Sequence, residues 1–131
     1  MENLSKYFKT IEMYNKCEDY YHTLKSGNVD PHWFISPLLV EGLEEVRKRM
    51  GTPIIINSGY RTPAHNILVG GAKNSMHLYG LAADISCPDA TNDELYDCVR
   101  GVAMFKGMGK GKGFCHCDVR NSDVVVEWKY G

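Results

Sequence analysis

SGYRTPAHNILVGGAKNSMHLYGLAAD, residues 58–84, is the stretch around which the rest of the chain is organised. It opens on an arginine in a turn, Ser58-Gly59-Tyr60-Arg61, passes a Gly70-Gly71 pair, and closes on Ser75-x-His77 followed by Asp84. Just before it, Pro53-Ile54-Ile55-Ile56-Asn57 reads as a buried strand, β-branched and apolar on both faces. Pro63 to Val69 reads as a short helix ended by Gly70-Gly71, and His77 then falls on a loop. Leu81 to Ser86 reads as a second strand, whose alternation puts Asp84 on one face with Ala82 and Ser86. One histidine and one aspartate make only part of a metal site, which needs at least a third ligand.

Downstream, Phe114 to Arg120, FCHCDVR, reads as a strand. Phe114, His116, Asp118 and Arg120 share one face, and Cys115, Cys117 and Val119 share the other. The two sulfurs therefore point away from the imidazole, which makes the cysteines core residues and His116 the site residue. Val124-Val125-Val126 reads as a closing strand, paired with FCHCDVR across a turn at Asn121-Ser122-Asp123. Gly107 to Gly113, GMGKGKG, lacks the residue order of a phosphate-binding loop and reads as a flexible hairpin-type connection.

Two helices are signalled by their starts. Ser36-Pro37 is an N-cap followed by proline at the first helical position, ahead of an apolar stripe of Leu38, Leu39, Leu43, Val46 and Met50 and a stop at Gly51. Thr91 and Glu94 have capping-box spacing ahead of Leu95, Cys98, Val99 and Val102. Residues 1–25 carry Leu4, Tyr7, Phe8, Ile11 and Tyr14 at helical intervals, and a break follows at Gly27 to Pro31. Tyr20, Tyr21, His22, His32 and Trp33 around that break read as packing residues.

The 131 residues suit one domain, 1–131, with an N-terminal helical region over 1–35 and a metal-binding core over 36–131. A net charge of −1 argues against a nucleic-acid partner. No apolar run approaches the roughly 20 residues of a membrane helix, and the polar N-terminus has no secretory h-region. Five cysteines at irregular spacing, with no CxxC, are not a disulfide framework or a thiolate zinc finger.

His77, Asp84 and His116 thus form a His-Asp-His set, two imidazoles and a carboxylate, which is the ligand pattern of catalytic zinc with one position open. Ser58-Gly59-Tyr60-Arg61, the pattern Ser75-x-His77-x-x-Gly80-x-Ala82-x-Asp84 and the segment FCHCDVR together resemble the M15 zinc peptidases. These are the D-Ala-D-Ala carboxypeptidase and L-alanyl-D-glutamate endopeptidase group, and the short phage and prophage cell-wall hydrolases among them are most similar. The resemblance runs from Pro53 to about Val126. It implies an α+β fold, a small and mainly antiparallel sheet carrying the zinc with helices packed on one side, as in the M15 and hedgehog-like folds.

The resemblance also implies roles. His77, Asp84 and His116 match the zinc ligands. Arg61 matches an arginine that stabilises the carbonyl oxygen or grips a substrate carboxylate, a task that suits a permanently charged donor fork. Ser75 matches a serine that contacts substrate. The position three residues before the last histidine, where many members carry an acid, is Gly113 here, and Phe114 replaces a histidine found in others. Asp118 is then the remaining candidate for the general base, about 6.6 Å along the strand from His116, with an outer partner of a ligand as its other reading. Glu127 and His65 are more distant candidates.

The expected activity is hydrolysis of an amide bond in a peptidoglycan stem peptide, by a Zn2+-dependent carboxypeptidase or an endolysin-type endopeptidase. The competing expectation is a zinc-containing module that binds peptidoglycan without cutting it, or a phage structural piece. Without a signal peptide, the expected setting is the cytoplasm until release to the cell wall, or the virion. A monomer is expected.

Overall fold

The computed structural model describes residues 4–14 and 35–130. The elements in order are α1 (Thr10–Met13), α2 (Pro37–Met50), β1 (Ile55–Ser58), α3 (Pro63–Leu68), a 3-10 helix (Met76–Tyr79), β2 (Ala82–Ser86), α4 (Asn92–Arg100), β3 (Gly107–Lys110), β4 (Cys115–Asp118) and β5 (Val126–Lys129). The five strands form one sheet in the order β1-β2-β4-β3-β5. All neighbours are antiparallel except β3 and β5, which run parallel. The fold is therefore a mixed, mostly antiparallel sheet with helices alongside it, the α+β architecture that the resemblance implies.

The two main helices start as their caps require. Ser36 Oγ accepts from the Leu38 amide at 3.2 Å, and Thr91 and Glu94 form a reciprocal capping box. Leu39, Leu43 and Val46 of α2 and Leu95 and Val99 of α4 are buried against Ala83, Ile85, Cys115, Cys117 and Met108 of the sheet. Alternation then sends Asp84, His116 and Asp118 to the opposite face. Hydrophobic burial on one face thus fixes which side chains are presented on the other.

Three expectations need correction. Val124-Val125-Val126 does not form a strand paired with β4. β5 covers Val126–Lys129 and pairs with β3, because both edges of β4 are already occupied by β2 and β3. The glycine-rich segment is not a loop throughout: Gly107–Lys110 is β3, an interior strand, and only its end turns, where the Gly111 amide donates to the Phe114 carbonyl at 3.0 Å. The strand expected over Ile54-Ile55-Ile56 starts at Ile55 and is not buried on both faces: Ile54 and Ile56 face the core while Ile55 is half exposed on the other side. The aromatic cluster of Tyr20, Tyr21, His22, His32 and Trp33 and the break at Gly27 to Pro31 lie outside the described residues, as does Cys17. Among the described residues no helix is long and apolar enough to cross a membrane.

Candidate metal centre

The Ser75 to Asp84 motif is a small mechanical unit. His77 lies on the 3-10 helix and not on a plain loop. Ser75 caps that helix, its Oγ accepting from the His77 amide at 3.3 Å. Gly80 ends it in the left-handed conformation, φ 70°, which a side chain at Cβ disfavours. The chain then turns directly into β2, and the fully buried Ala82 and Ala83 let Asp84 stand beside His77. The Arg61 amide donates to the His77 carbonyl at 3.1 Å, so the arginine turn and the histidine are tied through the backbone. His116 comes from the neighbouring strand, where it is the register partner of Asp84.

The tautomers follow from the outer contacts. His77 Nδ1 lies 2.7 Å from the Gly59 carbonyl oxygen, which can only accept, so Nδ1 carries the proton and Nε2 the lone pair. His116 Nε2 donates to Asp118 Oδ2 at 2.7 Å, leaving the lone pair on Nδ1. Both lone pairs face Asp84 Oδ1, at 3.2 Å from His77 and 3.0 Å from His116. Three electron-rich atoms so close repel one another unless a cation lies among them. His77 and His116 are nearly fully buried, and one ligand atom from each of the three residues lies within 4.8 Å of the others. This donor set fits zinc, with two imidazoles and a carboxylate leaving a position open.

Charge is concentrated here. Burial works against the Asp84 carboxylate, but when the facing nitrogens of His116 and His77 carry protons, their hydrogen bonds outweigh it and hold the group well below the usual carboxylate range. Burial likewise opposes ionised Asp118, and Arg120 and His116 together bring it well below that range. For His116, burial lowers the pKa and the contacts with Asp118 and Asp84 more than restore it, so the net direction is upward. A proton is thus the metal's competitor at this imidazole.

Arg61 stands at the edge of the cluster. Its Nη2 donates to Asp84 Oδ2 at 3.2 Å, Nε to Ser58 Oγ at 3.2 Å, and Nη1 to Asn66 Oδ1 at 3.3 Å. With a side-chain exposure of 15%, it is held in place while still lining the site. The ligands open onto a cleft of about 550 Å³. Arg61, Gly71, Ser75 and Met76 line this cleft, as do Phe114, Arg120, Trp128 and Tyr130, of which the three aromatic rings pack together.

Each residue singled out from the sequence now has a place. His77, Asp84 and His116 converge. Arg61 and Ser75 line the cleft, and Ser75 is at the same time the cap of the 3-10 helix. Asp118 has 0% exposure and stands behind His116, away from the cleft. Glu127 faces the opposite side of β5, accepting from Tyr96 at 3.0 Å and paired with Arg100 at 3.0 Å. The side chain of His65 is outside the described set. The cysteines are core residues: Cys87, Cys98, Cys115 and Cys117 are free, and burial pushes the Cys115 thiol up to about 12, so it stays protonated.

Sequence reasoning missed the aromatic wall and the site role of Arg120. Trp128 and Tyr130 are two residues apart on an extended segment, so they share a face, a spacing that marks a common surface. The expected closing strand at Val124 to Val126 hides this face, because β5 starts two residues later, at Val126, and pairs with β3.

Comparison with known proteins agrees with this geometry. The peptidase M15 family model matches residues 6–118. The zinc D-Ala-D-Ala carboxypeptidase of Streptomyces albus G is 50% identical over 70 residues, a match covering 53% of this chain and 28% of that protein. The matched part is therefore a little over a quarter of that relative's length. The chain belongs to the M15 zinc peptidase family, and His77, Asp84 and His116 form a cluster whose ligand atoms fit a zinc ion.

Proposed function

We propose that this M15 zinc peptidase hydrolyses an amide bond in the stem peptides of peptidoglycan, with removal of a terminal D-alanine as the leading reaction and endopeptidase cleavage of the stem as the other. The observation that carries the reading is the convergence of His77 Nε2, His116 Nδ1 and Asp84 Oδ1 at the floor of a cleft that also holds Arg61. The relative named as a D-Ala-D-Ala carboxypeptidase supports the first reaction. Bound at this site, zinc supplies Lewis acidity and an activated water.

The chain's own residues do the rest. The Arg61 fork is braced by Ser58, Asn66 and Asp84 on three of its N–H groups, and it presents the remaining edge to the negative charge that develops on the substrate oxygen or to a terminal carboxylate. Ser75, which also lines the cleft, offers a hydroxyl to the substrate backbone. Phe114, Trp128 and Tyr130, which also line the cleft, exclude water and seat apolar parts of the substrate.

The test is digestion of purified peptidoglycan, and of stem peptides ending in D-Ala-D-Ala, by the zinc-loaded protein with and without chelator, read by mass spectrometry. Chelator-sensitive loss of a terminal alanine is the expected result. Internal cleavage of the stem would assign the endopeptidase reaction. Absence of any product while one zinc is bound per chain would overturn the peptidase proposal in favour of a wall-binding module.

A further inference from the structure

The segment GMGKGKG has no place in the mechanism so far, and Asp118 stands where it cannot reach substrate. The two facts explain each other. On β4, Asp118 accepts from His116 Nε2 at 2.7 Å and is gripped by Arg120 through Nε–Oδ1 and Nη2–Oδ2 contacts of 2.8 Å each. The Arg120 amide also donates to Oδ1, at 3.2 Å. Arg120 in turn lies over the Trp128 ring, 5.3 Å from its centre, and Trp128 packs on His116 at 5.0 Å between ring centres. The imidazole is therefore held at one nitrogen by a charge-assisted hydrogen bond and on one side by an indole.

This arrangement needs an empty strip on the neighbouring strand. Gly107 is the register partner of Asp118, and Gly109 that of His116 and of Trp128. A methyl group at position 107 would overlap both Asp118 carboxylate oxygens and Arg120 Nε. One at position 109 would overlap the Trp128 indole nitrogen and lie 2.8 Å from the Tyr130 ring. The alternating glycines of β3 clear one face of the sheet for the residues that hold His116.

We propose that Asp118, clamped by Arg120 in the space that Gly107 leaves, is the positioning residue that fixes His116 as a metal ligand through Nδ1. Asp118 acts through His116 and not on the substrate. The inference rests on the metal-centre reading and is independent of which bond the protein cuts.

The experiment measures zinc affinity by competition with a chromophoric chelator for the full chain and for Asp118→Asn, Arg120→Lys and Gly107→Ala. Glu127→Gln, on the opposite face of β5, serves as the control. Thermal melting of each chelator-treated protein establishes that it is folded. Asp118→Asn and Gly107→Ala are expected to lose roughly 10- to 100-fold in affinity, the effect typical of removing a ligand's outer partner. Arg120→Lys, which keeps the charge and loses the fork, is expected to fall between them and the parent chain.

Imidazole ¹⁵N spectra of the unaltered zinc-loaded chain supply a readout that needs no variant. His116 is expected to be protonated at Nε2 and His77 at Nδ1. Full zinc affinity in Asp118→Asn with turnover lost would overturn the proposal and return Asp118 to a role at the substrate. A His116 protonated at Nδ1 would overturn it as well. A parent chain that takes up no zinc would bring down the metal-centre reading and this inference together, whereas unchanged affinity in the variants would sink this inference alone.

Discussion

Arg61 is held against the metal site by a support that a single methyl group should displace. Asn66 is 4% exposed; its Oδ1 accepts from Arg61 Nη1 at 3.3 Å and its Nδ2 donates to the Ala72 carbonyl at 2.9 Å. Gly71 packs on this amide. In Gly71→Ala the new Cβ would overlap Asn66 Oδ1, sit 2.8 Å from Asn66 Cγ and 3.0 Å from Arg61 Nη1, against the 3.4 Å at which ordinary contact begins. Asn66 Cγ must therefore retreat from 2.8 to 3.4 Å and Oδ1 further, a shift of the Arg61 support of about 1 Å, and a misplacement of that size costs about 100-fold in rate. At about 1.36 kcal/mol per decade, this is a loss of about 2.7 kcal/mol of transition-state stabilisation. The buried Asn66 amide also loses its hydrogen bond to the Ala72 carbonyl, costing about 1–3 kcal/mol of fold stability. The assay is kcat/KM on the stem-peptide substrate together with zinc content and thermal melting. Gly70→Ala is the comparison: its φ of +69° makes alanine strained by about 1–2 kcal/mol, but no atom lies within 4 Å of the added Cβ. Position 71 should thus lose turnover with zinc retained, and position 70 should lose only stability. A Gly71→Ala protein with parental kcat/KM would refute the claim that Asn66 sets the position of Arg61.

Two further outcomes follow from the same contacts. Because zinc needs the lone pair of His116, whose contacts with Asp118 and Asp84 overcome burial and raise its pKa above the ordinary imidazole value, zinc affinity should fall as pH drops through that raised range, and His77→Ala should lose bound zinc at every pH; equilibrium dialysis against zinc at stepped pH reads both. Burial first, and the hydrogen bond to Glu127 second, raise the Tyr96 pKa to about 12 from 10.0, so the folded state favours the neutral phenol. The stability from this contact is present below pH 10 and is lost as pH rises toward 12, so Tyr96→Phe should flatten the alkaline fall in melting temperature over that window, and an unchanged slope would count against the contact.

Much of the metal centre was readable in one dimension because its parts are local. Ser75, His77 and Gly80 cap, occupy and end a single 3-10 turn, and Asp84 follows at the distance that one strand entry requires. Their spacing is set by backbone geometry over ten residues, which a linear motif preserves. The helix starts at Ser36 and Thr91 were legible for the same reason, since a cap is satisfied within three residues. Strand alternation also placed His116 and the cysteines on opposite faces, because a period of two needs no knowledge of neighbours.

Strand order was not readable in this way. That β5 runs parallel to β3, and that β3 is an interior strand, depends on which edges of the sheet remain open once β2 and β3 have flanked β4. Periodicity within a segment carries no information about that competition, so the glycines of β3 looked like a loop and the valines before β5 like a strand. The role of Asp118 was undetermined for a related reason: the same residue two places from His116 serves as a base if it faces the cleft and as a support if it faces inward. In this fold the Arg120 contact and the space at Gly107 turn Asp118 inward, which is the basis for the support role proposed above. By itself the sequence determined the local geometry of the Ser75 to Asp84 unit and the faces of the strands, because these depend on bonded neighbours. Tertiary structure alone decided what stands behind and opposite those ligands, because such contacts join segments that meet only when the sheet has closed.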